Sequence, residues 1–227
     1  MSRTTAVFFD VDFTLIHPGP RFQGTGYRET CARYGVDVAA PRFDAAVAGA
    51  RGLLDSADQL YDAQVFINYT RRIIELMGGE GAGVDEAARE LYEAWAGNHH
   101  FTLYDDVEDT LRHLRDTGIR LGLISNGHRS LAEFQAHFAL TGLIAVTVSS
   151  FDHGYMKPHP SIFHVALEQM GVDASAAVMV GDSFAHDVMG ARQVGMRAVL
   201  LSRGSQETFA DPYVTVIRTL RELPGLL

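Results

Sequence analysis

The run Val7-Phe8-Phe9-Asp10-Val11-Asp12-Phe13-Thr14-Leu15 breaks a continuous apolar segment with carboxylates two positions apart. Such a segment reads as a strand of a parallel sheet covered on both faces. Carboxylates are costly in a core, so Asp10 and Asp12 belong at the strand's carboxyl end, where open α/β sheets bind their ligands. An acidic turn that closes a strand is the plainer account of this run taken alone. The choice between the two falls to the rest of the chain.

With 227 residues the chain can bury a sizeable core, as one large domain or as a core with a smaller insertion. Hydrophobic residues at 47% and charged residues at 21% describe a globular chain and not a disordered one. The 28 acidic and 19 basic residues leave a net charge of -9. No Arg-rich run stands out, so the composition argues against nucleic acid or anionic membranes as partners and for a small diffusible substrate. A single cysteine, Cys31, forbids an internal disulfide. The N-terminal apolar stretch is short and ends in carboxylates, unlike a signal peptide, and no stretch approaches the roughly 20 apolar residues of a membrane helix. The expected location is a reducing cytoplasm.

After the first strand, residues 16–98 interrupt the α/β rhythm. Tyr61, Val65, Tyr69 and Ile73 recur at steps of four and predict one face of a long helix that Gly78 and Gly79 terminate. Further helices are expected around 26–34, 41–51 and 85–95 with no strand between them, so the segment reads as an all-helical insertion. From Phe101 the rhythm resumes. Val107, Leu111 and Leu114 predict a helix closed by Gly118, followed by a strand over 119–124. Strands over 145–148, 177–180 and 197–201 alternate with helices over 160–170 and 185–194, and 214–217 adds a last strand.

Polar residues gather where these strands end. Ser125-Asn126-Gly127 closes the strand over 119–124. A hydroxyl and exposed N–H groups at such a turn can hold phosphate oxygens, although a plain capped turn is the preferred reading of the tripeptide alone. Lys157, in Met156-Lys157-Pro158, is the single lysine among the 19 basic residues. A compact ammonium can sit against a carboxylate and a phosphoryl oxygen together where a planar guanidinium does not fit. A solvated surface lysine is the simpler alternative, but Pro158 and Pro160 fix the backbone around it. Val180-Gly181-Asp182, continuing to Asp187, again leads an apolar strand into carboxylates. Asp182 is placed to bind Mg²⁺, a hard ion that takes one or two carboxylates, water and phosphate oxygens. Asp187, a turn further on, either caps the next helix or orients metal-bound water and Lys157.

Taken in order, the four clusters resemble the signature motifs of the haloacid dehalogenase-like (HAD) hydrolases. Asp10 to Leu15 matches the first motif, Ser125-Asn126 the second, Lys157-Pro158 the third, and Gly181-Asp182 through Asp187 the fourth. The resemblance covers nearly the whole chain. It implies an α/β fold with a Rossmann-like parallel-sheet core, residues 1–16 and 99–227, and a second, smaller all-helical cap domain over 17–98. A helical cap after the first motif is similar to that of phosphoglycolate phosphatase-like enzymes and 2-haloacid dehalogenases.

Carried over to this chain, the resemblance makes Asp10 the nucleophile that forms an aspartyl-phosphate and Asp12 the general acid–base. Mg²⁺ would be bound by the Asp10 carboxylate, the main-chain carbonyl of Asp12 and the Asp182 carboxylate, with Asp187 completing the acidic set. Ser125, the Asn126 N–H and Lys157 would neutralise the phosphoryl oxygens. The implied partner is a small phosphorylated metabolite, with no nucleic acid and no membrane, for a chain that is a monomer or a homodimer. One departure is Phe13, where the family usually has Gly or Asn. Its ring is expected to stiffen the turn or to narrow the leaving groups accepted. His128 and His186 lie near the motifs and read as surface or packing histidines, while His99, His100 and Arg21 lie near the cap boundaries. Three activities fit the resemblance: a Mg²⁺-dependent phosphatase, a 2-haloacid dehalogenase, and a phosphotransferase or mutase. Dehalogenases usually carry Tyr at the position of Asp12, which favours the phosphatase. A non-catalytic binding protein on this fold predicts decay of a motif, and none has decayed.

Overall fold

Val7, Phe8 and Phe9 lie at the centre of a sheet. In the computed structural model, which describes residues 3–54, 59–204 and 214–227, strand β1 (Ala6–Phe9) is buried at every position. The chain then forms β2 (Ile16–Pro18) and four helices, α1 (Gly24–Arg33), α2 (Phe43–Ala50), α3 (Ala63–Leu76) and α4 (Gly83–Ala94). It continues through β3 (Phe101–Leu103), α5 (Val107–Asp116), β4 (Arg120–Ser125), α6 (Leu131–His137) and β5 (Ile144–Ser149). Then follow α7 (Ser150–His153), α8 (Pro160–Met170), β6 (Ala177–Gly181), α9 (Met189–Gln193), β7 (Arg197–Leu201) and β8 (Thr215–Ile217). Two compact units emerge, Met1–His17 with Leu103–Leu227, and Pro18–Thr102.

The first unit is a parallel six-stranded sheet in the order β5-β4-β1-β6-β7-β8. Strand β1 pairs with β4 on one side and β6 on the other, so Phe9 lies opposite both Leu123 and Val180. Chain order runs away from β1 in both directions, which makes the carboxyl end of β1 a topological switch point where ligands bind. One sheet face is sealed by α8, whose Ile162, Phe163, Ala166 and Met170 pack with Phe8, Ile124 and Met179. Pro160 at its first position and Gly171 in the left-handed conformation after its end delimit that helix. Gly122 has no room for a side chain, since a Cβ there would lie 2.5 Å from the Phe8 ring.

Beyond the carboxyl ends of β7 and β8, Asp106 ties three segments together. It is fully buried, and its carboxylate accepts hydrogen bonds from Arg203 at 2.8 and 2.9 Å, from the Thr219 hydroxyl and from the Leu220 N–H at 2.8 Å. Arg203 also donates to the Thr14 carbonyl at 3.0 Å, anchoring the loop that follows β1. Burial alone would raise the Asp106 pKa, but the Arg203, Thr219 and Leu220 hydrogen bonds outweigh it and hold the carboxyl below its usual 3.8. Because the folded-state value is depressed, the stabilisation is complete above 3.8 and is lost as pH falls below it through the folded-state value. Asp106→Asn should therefore cost about 2–4 kcal/mol at neutral pH, and the gap to the wild type should narrow as pH falls below 3.8. Urea unfolding of both proteins across that range measures the gap. A gap that does not change with pH would contradict the assignment.

The second unit contains α1 to α4, with no strand of two or more residues among its described residues between Pro18 and Phe101. Helix α3 starts later than its sequence spacing predicts. Asp62 caps it by accepting the Gln64 N–H at 2.8 Å, so Tyr61 precedes the helix. Its buried side chains are Ile67, Thr70, Ile73 and Ile74, while Val65 and Tyr69 are only half-buried. Steps of four advance about 40° beyond a full turn each time, so a run of three such steps leaves the face on which it began. Mixed steps of three and four keep to the core.

Candidate active site

Parallel register brings three loops to one edge of the sheet. Asp10 directly follows β1 and donates its N–H to the Val180 carbonyl of β6 at 2.9 Å. Ser125 ends β4 and Gly181 ends β6. Lys157 comes from the loop between α7 and α8 and closes the group. Its ammonium, on a side chain only 2% exposed, donates to Asp10 Oδ1 at 2.6 Å and to Asp187 Oδ1 at 2.7 Å. The single lysine is thus a buried member of an ion-paired cluster and not a solvated surface residue. Asn126 builds its loop: the Asn126 side chain donates to the Lys157 carbonyl at 2.9 Å and accepts the Lys157 N–H at 2.7 Å. The Lys157–Pro158 peptide bond is cis.

Asp187 lies in a π-helical turn, Phe184–Val188, that runs into α9. The expected single helix over 185–194 is therefore two joined turns, and such π turns are frequent at functional sites. Ser183 caps this turn by accepting the His186 N–H at 3.2 Å. Asp187 is buried, and its Oδ2 accepts the Ser183 N–H at 3.0 Å while Oδ1 faces Lys157. The approach is close enough to require Gly181, because a Cβ there would lie 2.1 Å from Asp187 Oδ2. Gly181→Ala should displace Asp187 and destabilise the protein by about 1–3 kcal/mol. Thermal melting reads the effect, and an unchanged melting temperature would show that the carboxylate moves aside freely.

Asp10, Asp182 and Asp187 offer carboxylate oxygens that all lie within 4.8 Å of one another. Three carboxylates thus face one ammonium. Burial raises the Asp10 pKa, and repulsion from Asp187 adds to it, against the pull of Lys157. Asp182 is pushed well above the usual carboxylate value by desolvation and by the charges of Asp10 and Asp187. Burial would lower the Lys157 pKa, but Asp10 and Asp187 together hold it above the ordinary lysine value. A crowded set of hard oxygen donors with excess negative charge fits a small divalent cation such as Mg²⁺.

The Asp12 carboxylate lies outside that group of three and pairs with Arg129, whose Nη2 donates to Oδ1 at 3.0 Å. Ser125 is buried at the end of β4. Phe13 adopts a left-handed conformation with φ of 63° and is 45% exposed. A bulky residue in that region strains the backbone, which accounts for Gly or Asn being the easier choices there. His186 Nδ1 lies 3.1 Å from the Ser183 hydroxyl, and His128 is half-buried. In the helical unit, the His99 and His100 rings lie 3.9 Å apart at a tilt of 48°, and Arg21 pairs with Glu90 at 2.6 Å. Arg129 is the residue that sequence reasoning missed. Ser130 and Glu133 carry the capping signature of α6, with the Ser130 hydroxyl accepting the Glu133 N–H at 3.2 Å. That signature could have placed Arg129 at a helix start, but nothing in it says that the side chain turns inward.

The chain matches the family described as haloacid dehalogenase-like hydrolase over residues 4–195. It belongs to the haloacid dehalogenase-like hydrolases. Haloacid dehalogenase-like hydrolase domain-containing protein 3 of Danio rerio is 34% identical over 146 residues, covering 63% of this chain and 60% of that protein. The match thus spans less than two thirds of that relative's length. A glyceraldehyde 3-phosphate phosphatase of Methanothermobacter thermautotrophicus is 32% identical over 98% of this HAD hydrolase and 99% of its own length. Among solved structures, a HAD phosphatase from Thermococcus onnurineus has a TM-score of 0.68 at 29% identity, covering 98% of this chain and 97% of that one. A 2-haloacid dehalogenase from Pseudomonas syringae follows with a TM-score of 0.65 at 28% identity over the same shares.

Proposed function

We propose that this HAD hydrolase is a Mg²⁺-dependent phosphatase that hydrolyses a small-molecule phosphomonoester through an aspartyl-phosphate on Asp10. The observation that carries the reading is the Lys157 ammonium held between Asp10 and Asp187, with the Asp182 carboxylate beside them. A nucleophilic carboxylate, a fixed cation and an acidic pocket for a second cation together suit transfer of a dianionic phosphoryl group. The full-length likeness to a glyceraldehyde 3-phosphate phosphatase supports a small phosphate ester as substrate.

Asp10 attacks phosphorus in line, and the bond from phosphorus to the ester oxygen breaks as the Asp10–phosphorus bond forms. Asp12 gives its proton to the departing alkoxide and takes one from the water that next attacks phosphorus. That second attack breaks the bond to Asp10, releases inorganic phosphate, and returns Asp10 to its carboxylate and Asp12 to its protonated form. Ser125, the Asn126 N–H and Lys157 hold the phosphoryl oxygens where charge must be neutralised. Asp187 keeps Lys157 in place. Mg²⁺, held by Asp10, Asp182 and the main-chain carbonyl of Asp12, would supply further neutralisation of those oxygens. We assign the catalytic core to 1–16 and 99–227 and the cap to 17–98. No helix among the described residues is long and apolar enough to cross a membrane, and with the single buried Cys31 this supports a cytoplasmic assignment.

Release of phosphate from p-nitrophenyl phosphate and a panel of small phosphate esters, with Mg²⁺ and with EDTA, tests the reading. Mg²⁺-dependent release is the expected result. The likeness to the Pseudomonas syringae enzyme favours dehalogenation as a second reading. Halide release from chloroacetate, with every phosphate ester inert, would establish it in place of the first.

A further inference from the structure

Two buried cations serve the two aspartates that follow β1. Lys157 engages Asp10, and Arg129 engages Asp12 at 3.0 Å. The Arg129 side chain is 2% exposed, whereas that of Asp12 keeps 19% exposure. A guanidinium withdrawn from water is strongly unfavourable unless it is paired, and the Asp12 carboxylate is a partner that offsets the cost of burying Arg129. The constraint works in both directions: the carboxylate, still open to solvent on one side, is held in one orientation.

The position of Arg129 in the chain extends the argument. Asn126, Gly127, His128 and Arg129 form the one loop between Ser125, the last residue of β4, and Ser130, the N-cap of α6. At one end of the loop the Asn126 side chain grips the main chain of Lys157 on both its N–H and its carbonyl. At the other end Arg129 grips Asp12, 117 residues away in sequence. A single loop therefore anchors the cation of the nucleophile and the carboxylate of the second aspartate. The Ser150 hydroxyl steadies the loop between them by accepting the Gly127 N–H at 2.9 Å.

We infer that Arg129 is a positioning residue for proton transfer: by its bond to Oδ1 it holds the Asp12 carboxyl group in the orientation from which the other oxygen, when protonated, gives its proton to the leaving-group oxygen. The inference rests on the phosphatase reading for the identity of the proton transfer, and on geometry alone for the pair. Proton transfer needs heavy atoms within hydrogen-bond reach, and a displacement of about 1 Å can cost about 100-fold in rate. The gain from Asp12 is greatest where the leaving group is a poor one and least where it departs unaided.

The test compares the wild type with Arg129→Met, Arg129→Gln and Arg129→Lys on an alkyl phosphate and on p-nitrophenyl phosphate, with Mg²⁺ present. Because kcat/KM reports steps up to loss of the leaving group, it isolates the protonation. Arg129→Met and Arg129→Gln should lose about tenfold or more in kcat/KM on the alkyl ester and less than about threefold on the aryl ester. Arg129→Lys, which keeps the charge, should recover part of the loss. A structural role alone would lower both esters equally, and that outcome, or no loss on either, would overturn the inference. The second readout needs no activity and no variant at 129: the ¹⁵N resonances of the Arg129 guanidinium in the wild type and in Asp12→Asn. They shift if the pair exists in solution, and unchanged resonances refute the inference. A wild type silent on every ester would refute the phosphatase reading separately, leaving these resonances to decide whether the pair exists.

Discussion

Asp10→Asn is expected to lower kcat for phosphate release by about 10⁴-fold or more on every ester the wild type hydrolyses. The amide is nearly isosteric but cannot form the aspartyl-phosphate. The fold should survive the change, because Lys157 retains Asp187 as a partner at 2.7 Å and one of three crowded carboxylates loses its charge. The melting temperature should therefore move by no more than about 4 °C. Phosphate release and thermal melting on the same preparation separate the two effects. Retention of activity within about tenfold would mean that Asp10 is not the nucleophile and would return the chemistry to water activated elsewhere in the site.

Lys157→Met should act on stability as strongly as on activity. The ammonium is buried between Asp10 and Asp187, and its removal leaves two facing carboxylates without their common counter-ion. Breaking a buried pair in this way costs about 3–5 kcal/mol, readable as a fall in the urea midpoint measured without divalent cations. Phosphate release should fall along with it. Lys157→Arg should not restore activity, since a planar guanidinium is larger than the ammonium it replaces and cannot place one nitrogen against both carboxylates in the same space. A loss below about 1 kcal/mol in Lys157→Met would show that water or a cation takes over the counter-ion role at little cost.

Much of the sheet was legible from short-range pattern. The strands over 119–124, 145–148, 177–180 and 197–201 were readable because a parallel strand covered on both faces is apolar along its length. The observed strands Arg120–Ser125, Ile144–Ser149, Ala177–Gly181 and Arg197–Leu201 lie within about two residues of those readings. Helix α8 was readable from its own punctuation, Pro160 at the start and Gly171 beyond the end. Helix α3 was misread at Tyr61 because spacing by four imitates a helix face over one or two turns and departs from it over three. Helix α6 went unread although Ser130 and Glu133 mark its start, since its seven residues are too few to show a period.

The sequence by itself determined which residue types stand at the candidate site, carboxylates at the ends of apolar strands and a lone lysine among arginines. Only the tertiary structure decided how those groups are used. It joined Lys157 to both Asp10 and Asp187, made the Asn126 side chain a clamp on the lysine loop, required Gly181 for the approach of Asp187, and buried Arg129 against Asp12. Residue type and spacing carry the cost of a group in isolation. Which partner offsets that cost depends on parallel register and loop packing between segments from 30 to 147 residues apart, and neither is written in any local window of the chain.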